Sequence, residues 1–245
     1  MRNFFEGFIL SLGFFTQINI PYYVKNITNK TYKYLALTIP LAGIILATIT
    51  ILIFLTLSIY SNEIYAAIVA SVLYLFLYGF LHLEAVADII DAHYASHGGK
   101  DAHEILKDSH VGAVGAIATF CIVILKVSAM SYLLINGEFL GILATLYLSR
   151  LMIVGTIYKS DFHNQSKFIY SMKNQLDKRT MTILTLISLI IITILDHILL
   201  IPIALIGAII LKNWLLKKIG FLNGDGLGFM IEINELILLN IVILS

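Results

Sequence analysis

The sequence predicts an all-α, polytopic membrane helix bundle, and three observations predict it. Hydrophobic residues make up 59% of the 245-residue chain and charged residues only 13%, where a soluble domain carries about 25% charge. Mean hydropathy is +0.93, so the chain has too little polar surface to cover itself in water. The apolar residues fall in runs long enough to cross a bilayer, and the basic residues concentrate in alternate connections between those runs. The expectation is one integral membrane domain over residues 1–245. It would have about seven spanning helices, an N-terminal interfacial or re-entrant helix and an active site at the cytoplasmic face.

Residues 4–20 are aromatic and apolar but short, with Phe4, Phe8, Leu12 and Phe15 on one helical stripe. They read as an interfacial or re-entrant helix, a full span being the alternative. The segment holds Arg2 but no small-residue cleavage site after its apolar stretch, so no signal peptide is expected. Tyr22 and Tyr23 follow at headgroup level. Spans are then expected at roughly 34–60, 64–82, 112–135, 139–158, 180–195, 198–216 and 227–245, with Asp196 and His197 as a tight turn between the fifth and sixth.

The charges orient this layout. Lys25, Lys30 and Lys33 precede the first span, and Lys100 and Lys107 lie between the second and third. Lys159, Lys167, Lys173, Lys178 and Arg179 fill the fourth connection, and Lys212, Lys217 and Lys218 the sixth. The intervening connections hold no lysine or arginine. This positive-inside alternation places the basic loops on the cytoplasmic side of a bacterial inner membrane. Two basic residues lie inside spans. Lys126 is expected to snorkel toward the far interface; Arg150 needs an anionic partner, a substrate phosphate or a carboxylate. The net charge of +1 provides no footprint for nucleic acid. The one cysteine, Cys121, allows neither an intramolecular disulfide nor a cysteine-based zinc site.

Against this background the stretch 82–115, HLEAVADIIDAHYASHGGKDAHEILKDSHVGAVG, holds six of the chain's fifteen acids. Glu84, Asp88 and Asp91 are spaced i, i+4, i+7, which stacks three carboxylates on one helix face. Their repulsion is relieved either by solvation at the membrane surface or by a divalent cation, for which hard oxygen ligands suit Mg²⁺ or Mn²⁺. His82 is expected at the end of the second span, facing this site; the other nearby histidines have no zinc spacing. Lys107 and Ser109 are phosphate contacts or ordinary juxtamembrane residues, and Asp108 a metal ligand or a partner of Lys107.

A second polar cluster is GFLNGDGLGFMIEINEL, 220–236. Asp225 stands between Gly224 and Gly226 at the mouth of the last span, with Glu232 and Glu235 further in. Acids within a span cost about 2.5–3.5 kcal/mol each and face the bundle interior. The glycines would let the backbone approach a phosphate closely.

The run HLEAVADIIDA, then KDSHVGAVGA, then GDGLGFMIEINEL resembles the membrane-bound cobalamin-5'-phosphate synthases, the adenosylcobinamide-GDP ribazoletransferases. That family is marked by H-L-D-G-L-A-D-x-x-D-G, [RK]-D-S-x-x-G-x-x-G and T-G-D-x-L-G-A-x-x-E-x-x-E. His82, Asp88, Asp91, Asp108, Ser109, Gly112, Gly115, Gly224, Asp225, Gly228, Glu232 and Glu235 match in order and spacing. FFTQINIP near the start and TIPLAGIILA are similar to two further family stretches, and Arg150 falls where the family has an arginine. The chain departs at Glu84 and Ala85, where the family has Asp-Gly, at Ala92 for glycine and at Gln17 for arginine.

The resemblance implies a transferase that joins adenosylcobinamide-GDP to α-ribazole or its 5'-phosphate and releases GMP, with Mg²⁺ as cofactor. It implies Glu84, Asp88, Asp91 and Asp225 as metal ligands, with Asp91, Asp88 and His82 as the catalytic set and Asp91 preferred as general base. Lys107, Asp108, Ser109, Arg150, Gly224 and Glu232 would contact the substrate and its phosphates. The lipid bilayer is the expected surrounding, and the architecture allows a homo-oligomer. Two rivals fit less of the chain. A CDP-alcohol phosphotransferase needs an arginine after Ala87 and a distal pair of aspartates that are missing, and a transporter would place its acids at the midplane.

Overall fold

The computed structural model describes residues 2–18, 20–24, 27–96, 106, 110–162 and 167–245, and these form helices and connections with no strand among them. In chain order the helices are α1 (Arg2–Phe15), α2 (Asn29–Tyr60), α3 (Glu63–Tyr78), α4 (Leu81–Ser96), α5 (Ala113–Ile135), α6 (Phe139–Lys159), α7 (Lys167–Lys173), α8 (Lys178–Ile194), α9 (Leu200–Lys218) and α10 (Gly224–Leu244). Five of them, α2, α5, α6, α9 and α10, are each long and apolar enough to cross a membrane. The chain is therefore a multi-pass membrane protein.

Local chemistry explains most boundaries. Thr28 and Thr31 form a reciprocal capping box that starts α2. Asn62 caps α3, and Asn223 caps α10 by accepting the Gly226 N–H at 2.8 Å. Asp177 caps α8, and the hydrogen bonds from Thr180 hold its carboxyl below the usual carboxylate range. Asp196, with φ at 58°, makes the tight turn expected between α8 and α9.

The expected spans are corrected at two places. In place of one helix over 64–82, α3 stops at Tyr78 and α4 leaves it at an angle of 80°. Gly79 takes the left-handed conformation that ends a helix, at φ 82°, and Phe80 follows at φ 61°. Gln17 clamps the bend: its backbone N–H donates to Leu77 O at 2.6 Å, and its side chain occupies the space a Cβ at Gly79 would need. The second correction is α8, which has 17 residues and does not pass as a span alone. By length and apolarity alone five helices qualify among the described residues, or six crossings when the bent pair is counted as one. The N-terminal helix α1 spans about 21 Å, too short to cross, and lies along the start of α2.

The bundle has two inner helices. In α6 and α10, 72% and 61% of the central apolar stretch is buried, against 22% for both α5 and α9. Around them α2 packs on α6, α4 on α10 and α5, α3 on α2 and α5, and α9 on α10 and α6. Small residues set how closely the helices approach, as is usual where packing rather than water drives association. Gly43 of α2 lies against the Leu146 carbonyl and the Arg150 side chain of α6, so a Cβ there would collide with backbone. By contrast, a Cβ on Gly155 meets nothing within 4 Å.

Gly43→Ala should therefore destabilise the protein by about 1–3 kcal/mol, the usual cost of overpacking. Gly155→Ala should leave stability unchanged or raise it by up to about 1 kcal/mol. Thermal unfolding in detergent micelles checks both, and equal midpoints for the two variants would refute the close α2–α6 crossing.

Candidate active site at the crossing of helices α4 and α10

The α4–α10 crossing is held by Ala85 against Gly228. A Cβ on Gly228 would lie 2.8 Å from the Ala85 methyl and 3.4 Å from His82 Nδ1, so the contact needs a glycine on one side. Ala85 takes the place of a family glycine, and Gly228 makes the room for its methyl. The crossing brings the α4 acids to the N-terminus of α10, where Asp225 sits in the first helical turn. The helix dipole favours a carboxylate at that end, and Asn223 Nδ2 donates to Asp225 Oδ2 at 2.7 Å. Asp88 is half-buried and feels the charges of Asp225, Glu84 and Asp91; Asp225 in turn feels Glu84. Glu84 and Gly224 are exposed. A cavity of about 620 Å³ opens beside Glu84, walled by Phe14, Gln17, Gly79, Val111 and Thr119.

Asp91 belongs to the same helix face and has a structural job there. Its Oδ2 accepts the Gly112 N–H at 2.7 Å and its Oδ1 accepts the Gly115 N–H at 2.8 Å. Gly112 is the N-cap residue of α5 and has no side chain to satisfy the free N–H groups of the first turn. Asp91 supplies the cap from another helix. A Cβ on Gly112 would lie 2.5 Å from Asp91 Oδ1, and one on Gly115 would collide with the carboxylate, so both glycines exist to admit it. The geometry thus ties Asp91 to α5, where metal ligation and base catalysis were expected of it. Among the described residues no group of three His, Cys, Asp or Glu side chains is close enough to enclose a metal ion. Lys107, Asp108 and Ser109 lie outside the described residues.

His82 is 5% exposed, its ring between Phe15 at 5.4 Å and Tyr78 at 6.2 Å, and its Nε2 has no hydrogen-bond partner among the described residues. It looks inward from α4, toward a second cluster of charges deeper in the bundle.

That cluster joins α3, α5, α6 and α10. Lys126 Nζ pairs with Glu232 Oε2 at 2.6 Å and Glu235 Oε1 at 2.7 Å. Arg150 pairs with Glu235 Oε2. The Tyr74 hydroxyl donates to Glu235 Oε1 at 2.5 Å, the Tyr78 hydroxyl to Glu232 Oε2 at 3.3 Å, and Lys126 lies 4.9 Å above the Tyr78 ring. All six side chains are at most 2% exposed. One expectation is corrected here. Lys126 does not snorkel, because two carboxylates offer it a closer counter-charge than the interface does. Arg150 takes a carboxylate, one of the two anionic partners expected for it, and Glu232 lies on Lys126. Sequence reasoning missed Tyr74 and Tyr78. The usable signal was the count: two acids and two bases inside spans balance, so they were available to pair.

Removing one partner of a buried ion pair strands the other charge and costs about 3–5 kcal/mol. Lys126→Met should lose stability on that scale in detergent unfolding. Lys126→Met/Glu232→Met should regain most of it, since the Arg150–Glu235 pair then stands as a neutral unit. Additive losses in the double variant would show that the pairing is not what holds these helices. Separately, Gly115→Ala and Asp91→Ala should each fray the start of α5, read as faster amide exchange at 113–118; unchanged exchange in Asp91→Ala would refute the cap.

The model of the cobalamin-5-phosphate synthase family matches residues 7–243 of the chain. An adenosylcobinamide-GDP ribazoletransferase of Caldanaerobacter subterraneus subsp. tengcongensis is 29% identical over 238 residues, covering 95% of each chain. The protein of that name in Escherichia coli K12 is 24% identical over 237 residues, covering 93% of this chain and 95% of its own, and one in Shigella flexneri is equally similar. No solved structure matches. With the family's three motifs on α4, before and into α5, and at the mouth of α10, and the match running nearly end to end, the chain belongs to the cobalamin-5-phosphate synthase family.

Proposed function

We propose that the chain is an adenosylcobinamide-GDP ribazoletransferase, joining adenosylcobinamide-GDP to α-ribazole or α-ribazole 5'-phosphate and releasing GMP. The observation that carries the reading is the α4–α10 crossing, which sets Glu84 and Asp88 of one family motif against Asp225 of another.

The donor is a pyrophosphate, and the exposed acids are suited to a hard cation bound with it. Mg²⁺ keeps several waters and is held by one or two carboxylates plus substrate phosphates, so it needs no closed protein cage. Carboxylates on two helices, close enough to repel yet not enclosing an ion, fit that mode. Glu84 and Asp225 are the residues that would hold the metal. When bound, Mg²⁺ would neutralise charge on the pyrophosphate and on the departing GMP. The acceptor hydroxyl would attack the phosphorus on the cobinamide side as the bond to the bridging oxygen breaks, GMP leaving with that oxygen. Asp91 is occupied by α5, which leaves Asp88 as the α4 carboxylate free to take the hydroxyl proton. Lys107 and Ser109, just before the α5 N-terminus in sequence, remain the proposed phosphate contacts, with Asp108 as the proposed partner of Lys107 at the substrate. Gly224 would let the backbone approach a phosphate at the mouth of α10.

The topology we propose with this reading would have seven crossings, with α3 and α8 spanning despite their 16 and 17 residues, a shortfall that a bilayer accommodates at small cost. Every basic connection, and the α4–α10 mouth with them, then lies on the cytoplasmic side of the inner membrane.

The test is turnover by the purified protein in lipid, with GMP release and corrinoid product followed together. Both should depend on Mg²⁺. Asp88→Asn and Asp225→Asn should each lose activity by about a hundredfold or more, beyond what loss of a group supporting a ligand costs. Full activity in Asp88→Asn would sink the base assignment, and full activity in Asp225→Asn the metal assignment. Absence of product from folded wild-type protein would redirect the search to another nucleotide-activated donor.

A further inference from the structure

A cavity of about 560 Å³ lies between α6, α8 and α9, away from the acids. Its wall is apolar over most of its length, with Leu148, Leu151, Leu184, Leu205 and Ile209. One end is different. Lys159 and Ser160 at the end of α6 meet Lys212 and Asn213 of α9 there, on the side where α8 begins. From Leu148 to Ser160 the cavity follows α6 for about 18 Å, so a polar mouth opens on a deep apolar slot.

Three features show that this space is built to hold something. The hydroxyls of Thr156, Thr185 and Ser188 along the wall are each satisfied by a carbonyl of their own helix, at 2.9, 2.9 and 2.7 Å. Ser160 at the mouth is 7% exposed, and its hydroxyl has no hydrogen-bond partner among the described residues. A buried hydroxyl without a partner costs free energy unless a ligand supplies one. Next, Gly155 leaves the wall open, since a Cβ there would meet nothing within 4 Å. Finally, α8 walls the slot on its third side and is tied to α6 by the Tyr147–Ser188 hydrogen bond at 2.7 Å. The acid nearest the mouth in sequence, Asp161, is spent on Lys173 at 2.6 Å and does not neutralise the two lysines.

We propose that this cavity binds an anionic phospholipid of the surrounding bilayer, an acyl chain in the slot and the headgroup phosphate at Lys159, Lys212 and Ser160. The occupant follows from the charge pattern: a cationic mouth with an unpaired hydroxyl donor above an apolar slot complements a phosphodiester on a hydrocarbon tail. The site stands apart from the proposed activity and does not depend on it.

The experiment reconstitutes the full chain in vesicles of phosphatidylcholine with about one-tenth phosphatidylglycerol, re-extracts it in detergent and identifies the retained lipid by mass spectrometry. Two lysines near an anionic headgroup provide a preference of up to about thirtyfold, which should raise phosphatidylglycerol from about one-tenth of the bilayer to as much as about three-quarters of the retained lipid. Lys159→Gln/Lys212→Gln should return the retained lipid to bilayer composition. Gly155→Leu should fill the slot and abolish retention. Retained lipid at bilayer composition in the wild type, or none at all, would overturn the proposal. So would enrichment that survives the double lysine variant, which would place the anionic lipid elsewhere on the protein.

Discussion

Two glutamates three residues apart on a helix inside a membrane are a constraint that the rest of this bundle has to meet. Their charges cannot be left in a medium of low dielectric constant without counter-charges, and the solution is Lys126 from α5 and Arg150 from α6, closed by Tyr74 and Tyr78 of α3. The group is neutral as a whole. Because the two acids come from α10 and the two bases from α5 and α6, the pairing also fixes how these three helices are rotated and slid against one another. A register error of one residue would turn a charge toward lipid, at a cost comparable to the stability of a domain.

With α10 locked in that register, its N-terminal turn has one position, and α4 can reach it only because Gly228 admits Ala85. The interior charges and the surface acids are thus linked through one helix. Glu232 and Glu235 hold α10 in place, and Asp225, two to three turns nearer its start, is presented to Glu84 and Asp88. Asp91 performs the matching task for α5. By capping that helix from α4, it holds Gly112 and Gly115 of one family motif against another. An aspartate in a family motif therefore has a structural use that its spacing does not reveal.

The 80° bend between α3 and α4 is what lets an acidic helix exist in so apolar a chain. Continued straight, α3 would carry Glu84, Asp88 and Asp91 onward along its own axis. Turned at Gly79 and Phe80, and held by Gln17, the acids lie across the end of α10 and beside the 620 Å³ cavity.

By itself the sequence determined the class of protein, the five longest spans, the short first helix, the turn at Asp196 and the three acidic motifs. All of these follow from local properties: apolar run length, capping residues, charge density and motif spacing. It was also enough to show that four charges lie inside spans, but not how they pair. Lys126 is 106 positions from Glu232, and Arg150 is 85 from Glu235; no periodicity couples residues so far apart, and only helix packing brings them together. The same holds for Asp91, whose spacing from Glu84 and Asp88 put it with the metal ligands, while the packing of α4 on α5 gave it to Gly112 and Gly115. Tertiary structure decided partners because, in a bundle, a side chain's neighbours depend on the rotation of every helix around it, and that rotation is a property of the whole chain.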